Sequence, residues 1–159
     1  MEMETNFIGL ERKKLQTTVA QLNDLLACYM VFYQNVRGLH WNVRGGHFFT
    51  LHQKYEELYH DLQEKVDSIA ERILTLGEIP LHSCDDYRTV SKIRHAKNIS
   101  DGNTGVQTVL TSLQTLLEKQ RGILKLAHAA DDEGTATMMS DYIAQQEKLV
   151  WMYAAFLNQ

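Results

Sequence analysis

The sequence is poorest in the residues that interrupt helices or cross-link chains. One proline in 159 residues, Pro80, argues against a fold of short strands and tight turns and favours long helices. Two cysteines, Cys28 and Cys84, are too few for a disulfide framework, and the expected compartment is the cytoplasm. No apolar run approaches the length of a membrane span. The opening "MEMETNFIGLERKK" has no apolar stretch behind a basic start, so no secretory signal is expected. An excess of basic residues is also missing. The formal net charge is -4, which does not suit a chain built to bind polyanions.

What is present is helical periodicity. Leu15, Val19, Leu22, Leu26, Met30 and Tyr33 recur at spacings of three and four, which predicts a helix from about Leu10 to Asn42. Gly45-Gly46 supply a break. A second helix is predicted from Phe48 to Leu76 on the stripe Leu51, Tyr55, Leu58, Leu62, Ile69, Ile73 and Leu76. Two more are predicted from Asn103 to Ala130 and from Ala136 to Leu157, with "DDEGT" between them. The expected architecture is all-α: a four-helix bundle in one domain, 1–159. The long connection between the second and third helices carries a short helix near Tyr87 to Ile93 and can cross over along the bundle.

The chemistry concentrates in "GLHWNVRGGHFFTLHQKYEE", residues 38–57, and in the helix that follows. With Leu51 at zero and about 100° per residue, His52, Glu56, Asp67 and Glu71 fall near 100°, 140°, 160° and 200°. They form two i, i+4 pairs on one face beside the core stripe, and each pair can reach one ion. Fifteen residues separate His52 from Asp67, roughly 22 Å of helix. One chain therefore cannot bring both pairs to one metal, whose ligand bonds are about 2 Å long. A two-fold copy of the helix, packed antiparallel with the dyad near residues 61–62, sets His52/Glu56 of one chain against Asp67/Glu71 of the other. His40 can approach His52 across the glycine turn. Two imidazoles and three carboxylates suit iron, manganese or zinc. The bland alternative stays open on spacing alone, because carboxylates at i, i+4 are most often a solvated face.

At "LHWNVRGGHFFTLHQKYEELYHDLQEKVDSIAER", residues 39–72, the chain resembles the Dps family, the miniferritins or DNA-binding proteins from starved cells. The four-helix layout and the ending "EKLVWMYAAFL" extend the resemblance over nearly the whole chain. It implies a ferritin-like bundle assembled from two-fold dimers into a hollow dodecamer. It also implies oxidation of ferrous iron, with hydrogen peroxide preferred over dioxygen, and storage of a ferric mineral, which protects against oxidative stress. The implied centre lies between subunits and takes two irons, with zinc able to substitute. Its ligands match His40, His52 and Glu56 from one chain and Asp67 and Glu71 from the neighbour. Position 56 is often Asp in the family, so Glu56 is a longer variant. Trp41 is implied near the centre, where it can intercept stray oxidising equivalents or simply pack.

The resemblance further implies that the turn between the third and fourth helices lines an entry pore. Asp131, Asp132, Glu133 and Asp141 are the acidic candidates, although Asp131–Gly134 could equally be a helix cap. Thr137 stands where many members have an Asp. The family name raises a second reading, a nucleoid protein that shields DNA. The acidic N-terminus and the absence of a lysine-rich tail argue against direct DNA binding. Glu57-x-x-His60 has the spacing of intrahelical-bundle di-iron sites, but no second such motif exists to complete one. His47, His82, His95 and His128 are expected at the surface, Cys28 in the core and Cys84 accessible. Met138, Met139 and Trp151 are expected in the core.

Overall fold

The computed structural model describes residues 5–158 and is all-α. Residues 1–4, which include most of the acidic N-terminus, lie outside the described part. The elements are α1 (Arg12–Asn42), α2 (Phe48–Thr75), α3 (Cys84–Val90), α4 (Gly102–Ala129) and α5 (Glu133–Phe156). Among the described residues no helix is long and apolar enough to cross a membrane.

The four long helices pack around a common apolar core. Every member of the α2 stripe, from Leu51 to Leu76, is buried. In α1 the buried set is wider than one stripe and includes Leu22, Leu25, Leu26, Ala27, Cys28, Tyr29, Val31 and Phe32. That width follows from its neighbours, since α1 packs against α2, α3 and α4.

Contacts between the helices define their directions. The segment before α1 ties to the end of α2 through Asn6 Nδ2, which donates to Leu76 O at 3.4 Å. His40, near the end of α1, meets His52, near the start of α2. These two helices are therefore antiparallel. Lys119 of α4 pairs with Asp24 of α1 at 3.7 Å, and Gly105 of α4 faces Leu39, so α4 also runs against α1. It follows that α2 and α4 are parallel, and the connection between them must travel the length of the bundle.

Two asparagines on α1 guide that connection. Leu81 N donates to Asn23 Oδ1 at 2.8 Å. Further along, the buried Asn35 donates to Arg94 O at 2.8 Å and accepts from Ala96 N at 2.9 Å. An amide side chain offers both a donor and an acceptor, so it replaces a strand partner for a crossing backbone.

Two element bounds and one burial assignment differ most from the expectation. The short helix spans Cys84–Val90 rather than Tyr87–Ile93 because Ser83 caps it, accepting from Asp86 N at 3.2 Å. In the same way Asp132 accepts from Thr135 N at 3.0 Å and starts α5 at Glu133. Trp151 is a correction: it is 67% exposed rather than in the core. It stands two residues before the buried Tyr153, about 200° around the helix, and so points away from the bundle. Met139 is buried and Met138 half-buried, while Cys28 is buried and Cys84 exposed, as expected.

The middle of the bundle holds a polar layer. Gln120 Nε2 donates to Tyr29 Oη at 2.8 Å and to Gln146 Oε1 at 3.0 Å, and Gln146 also donates to Tyr29. Burial pushes the Tyr29 phenol well above its ordinary pKa, so it remains neutral and can accept both amides.

Near the other face, the buried Tyr55 hydroxyl has no hydrogen-bond partner. A Cβ added at Gly105 would stand 2.6 Å from that oxygen but 3.5 Å from the ring carbon that carries it. The effect of Gly105→Ala should therefore change sign with residue 55. Alone it should destabilise by about 1–3 kcal/mol through overpacking. On a Tyr55→Phe background it should stabilise by up to about 1 kcal/mol, the helical advantage of alanine over glycine. Urea unfolding of the four variants measures both signs. A destabilising effect of equal size on both backgrounds would show that the hydroxyl is not the obstacle.

Candidate metal centre

The turn between α1 and α2 is built from short-range constraints. Val43 N closes the last turn of α1 on Leu39 O at 3.0 Å, and Arg44 N donates to Ser100 O at 3.0 Å. Gly45 then adopts φ +100°, a left-handed conformation that a side chain would disfavour. Its carbonyl accepts from Phe48 N at 3.0 Å as α2 begins. The turn returns the chain so that His40 and His52 lie side by side.

These two imidazoles are stacked, with ring centroids 3.8 Å apart and an interplanar angle of 15°. His40 is buried and His52 half-buried. Each ring bonds to the other's backbone. His40 Nδ1 lies 2.7 Å from His52 O, and His52 Nδ1 lies 2.9 Å from His40 O. A carbonyl oxygen can only accept, so both Nδ1 atoms carry the hydrogen. In the neutral rings both Nε2 atoms then hold a free lone pair, the form that ligates a metal. Phe48 stacks on His52 at 5.0 Å, and Tyr59 meets His40 edge-on at 5.4 Å. Four aromatic rings thus fix the orientation of two donor atoms.

The carboxylates lie elsewhere on the helix. Glu56, Asp67 and Glu71 are all exposed, on the face that the periodicity assigned to them. Among the described residues, one chain forms no cluster of three or more His, Cys, Asp and Glu side chains able to hold a metal ion. A single chain therefore presents two imidazoles with Glu56 one turn away, and a separate acidic pair near the far end of α2. Trp41 is 58% exposed, and the Arg37 guanidinium lies 4.8 Å from its ring centre.

The acidic turn divides in two. Asp131, Glu133 and Asp141 are exposed, and Asp131 takes a positive φ of 57°. Asp132 is fully buried. Its carboxylate caps α5 and pairs with Arg72 of α2, whose Nε also donates to Thr135 Oγ1 at 3.0 Å. For Asp132 the structure assigns the capping role that the sequence left open. The sequence did not reveal the ion pair, since nothing local links residue 72 to residue 132. Glu57 and His60 are exposed and point out of the bundle, and Glu57 is held by Lys54 at 2.6 Å.

Comparison with known proteins agrees with this architecture. The ferritin-like domain family matches residues 19–159. The chain is 39% identical over 151 residues to the DNA protection during starvation protein of Porphyromonas gingivalis, covering 95% of each chain. It superposes on the crystal structure of a Dps protein from Vibrio cholerae O1 with a TM-score of 0.97, at 49% identity and over 99% of both chains. That protein is described as a member of a broad superfamily of ferritin-like diiron-carboxylate proteins. A Listeria innocua Dps soaked with zinc superposes with a TM-score of 0.87, at 28% identity, over 89% of this chain and 97% of that one. With one fold, one layout of helices and these near full-length likenesses, the chain belongs to the Dps family of the ferritin-like superfamily.

Proposed function

We propose that this protein is a ferroxidase that stores iron in a hollow homododecamer, with each oxidation site shared by two subunits. The observation that carries the reading is the stacked His40–His52 pair, whose Nδ1 atoms are both occupied and whose Nε2 atoms are both free to bind metal. Membership of the Dps family supports a general iron-storage role. The ligands are His40, His52 and Glu56 of one chain with Asp67 and Glu71 of the partner subunit. The divided arrangement answers the roughly 22 Å that separates the two pairs on one helix.

Ferrous iron is the substrate, and donor chemistry sets the course of the reaction. Imidazole holds the softer ferrous ion, while carboxylates favour the harder ferric product and can bridge two ions. Two ferrous ions give up one electron each. Hydrogen peroxide takes both electrons with two protons and leaves as two waters, so no hydroxyl radical is released. Dioxygen serves more slowly. Zinc can occupy the same donors, since imidazole and carboxylate both suit it. The ferric product is stored inside the assembly, in the cytoplasm, where removal of ferrous iron and peroxide limits oxidative damage. Trp41 stands one residue from His40 and is available to intercept stray oxidising equivalents.

Mixed assemblies test the shared site. In His52→Ala every site lacks an imidazole, and in Asp67→Ala every site lacks its facing carboxylate. Both should oxidise iron slowly. Co-assembly of the two variants should restore about one quarter of wild-type activity under random pairing, because half the dimers are mixed and half their sites are intact. A mixture no more active than its parents, with subunit exchange confirmed by mass spectrometry, would assign all ligands to one chain.

Exposed carboxylates at Asp131 and Glu133 should speed the arrival of iron by attraction rather than by chemistry. Asp131→Asn/Glu133→Gln should slow uptake at low ionic strength, with a smaller effect at high salt, where attraction is screened. Asp132 is left intact because it caps α5. Equal uptake at low salt would remove this turn from the entry path.

The relatives' name favours a second reading, protection of DNA by binding. A net charge of -4 per chain opposes it, since phosphate binding draws on an excess of lysine and arginine. Gel-shift at physiological salt and neutral pH should show no tight retention of duplex DNA. Magnesium-independent retention at sub-micromolar protein would reverse the ranking of the two readings.

A further inference from the structure

We infer that Phe49 and Leu74 form an apolar closure over the outer end of each metal centre, Phe49 of one subunit packing on Leu74 of the partner subunit. The inference rests on the shared-site reading and adds to it what holds the two chains in register. Phe49 is 85% exposed and Leu74 57% exposed. They stand near the two ends of α2 and share the face of the ligands, at about 160° and 140° in the frame where Leu51 is zero. Singly such side chains are ordinary on a surface, and their bearing here comes from the pairing that symmetry gives them.

Symmetry selects the occupant. His52 and Glu71 are equidistant from the midpoint between Asp61 and Leu62, and so are Glu56 and Asp67. Phe49 and Leu74 are equidistant from the same midpoint. One antiparallel register therefore pairs imidazole with carboxylate and phenyl with isobutyl at once. An isologous contact demands this self-complementarity, and an unrelated partner does not. A one-residue slip would turn the facing side chains by about 100° and lose both kinds of pair.

The closure also reaches the ligands. Phe49 lies edge-on to Phe48, with centroids 5.3 Å apart, and Phe48 stacks on His52, which stacks on His40. Covering Phe49 with Leu74 of the partner subunit thus steadies a four-ring column that ends in the two donor atoms. Phe49 is one turn before His52 and Leu74 one turn after Glu71, so the pair closes the site on the side away from the dyad. Both are positioning residues.

Charge exchange tests the pairing. Within one chain the two positions are roughly 37 Å apart along α2, so any rescue must cross the dyad. Phe49→Asp and Leu74→Lys each place a charge where the helix dipole favours it, and both side chains are exposed in the single chain, so the fold should survive. Each single variant should dissociate at a protein concentration about tenfold higher than the parent. The double variant, with an Asp–Lys pair at each end, should return to within about threefold of the parent. Sedimentation over a dilution series reads both. The neutral variant Leu74→Ala should weaken binding of Co2+ about tenfold, read by its visible absorption, although Leu74 lies at the far end of the helix from its own His52. Parental assembly by both single variants, or a double variant weaker than either, would overturn the closure. If the His52→Ala and Asp67→Ala mixture still recovers activity, the shared site stands without it. If that mixture fails while the charge pair rescues assembly, the contact stands and the shared site falls.

Discussion

Two hydrogen bonds that cross between His40 and His52 organise the end of the bundle where α1 turns into α2. Each ring donates to the other residue's backbone carbonyl, so each fixes a side chain and a main chain together. Such bonds contribute only about 1 kcal/mol apiece to stability. Their larger effect is chemical, since they decide which nitrogen carries the proton. They also set the approach of α1 to α2, because the carbonyls belong to the helices themselves. The turn that permits this depends on Gly45 at positive φ and on the clasp of Arg44 N to Ser100 O, which brings the far connection to the same place.

The interior of the bundle serves a different purpose. Di-metal sites within four-helix bundles need carboxylates and imidazoles projecting inward from all sides. Here the polar layer in the middle of the bundle joins Tyr29 of α1, Gln120 of α4 and Gln146 of α5, bonded to one another. On α2 the buried polar position is Lys65, whose ammonium pairs with Asp61 and lies 5.1 Å from the Tyr142 ring centre. A cation already in place opposes a second one, and its removal would leave Asp61 without its partner. Glu57 and His60, whose spacing suggested an internal site, point outward. The candidate ligands His52, Glu56, Asp67 and Glu71 thus stand along α2 outside this internal layer.

How much of this was legible follows from the range of each interaction. The α2 stripe was fully readable, since burial of Leu51 through Leu76 is a one-helix property with period 3.6. The exposure of Glu56, Asp67 and Glu71 on one side of α2 was readable for the same reason, and so was the distance that keeps the two pairs of one chain apart. Helix starts were less so, because Ser83 and Asp132 act as caps only once the backbone has turned. Trp151 departs from the expectation because it stands about 200° around α5 from the buried Tyr153, an angle that its apolar character does not report. The Arg72–Asp132 pair and the amide layer around Tyr29 were invisible, since each joins residues that only the packed bundle brings together. The reciprocal histidine bonds were half visible: the approach of the rings could be expected across a glycine turn, but not their tautomers.

A metal site shared across an exposed helix face would tie its chemistry to assembly. A site enclosed within one bundle binds metal as soon as the chain folds. Here the folded chain holds two oriented imidazoles and an acidic pair at opposite ends of α2, and neither group alone offers the donors that two iron ions require. In the shared arrangement, completion of the site is the same event as pairing of the chains. Oxidation would then begin only where an assembly exists to receive its insoluble product. The constraint that would enforce this order is the spacing along α2: a helix rises about 1.5 Å per residue, and no side chain of one chain can span what fifteen residues separate.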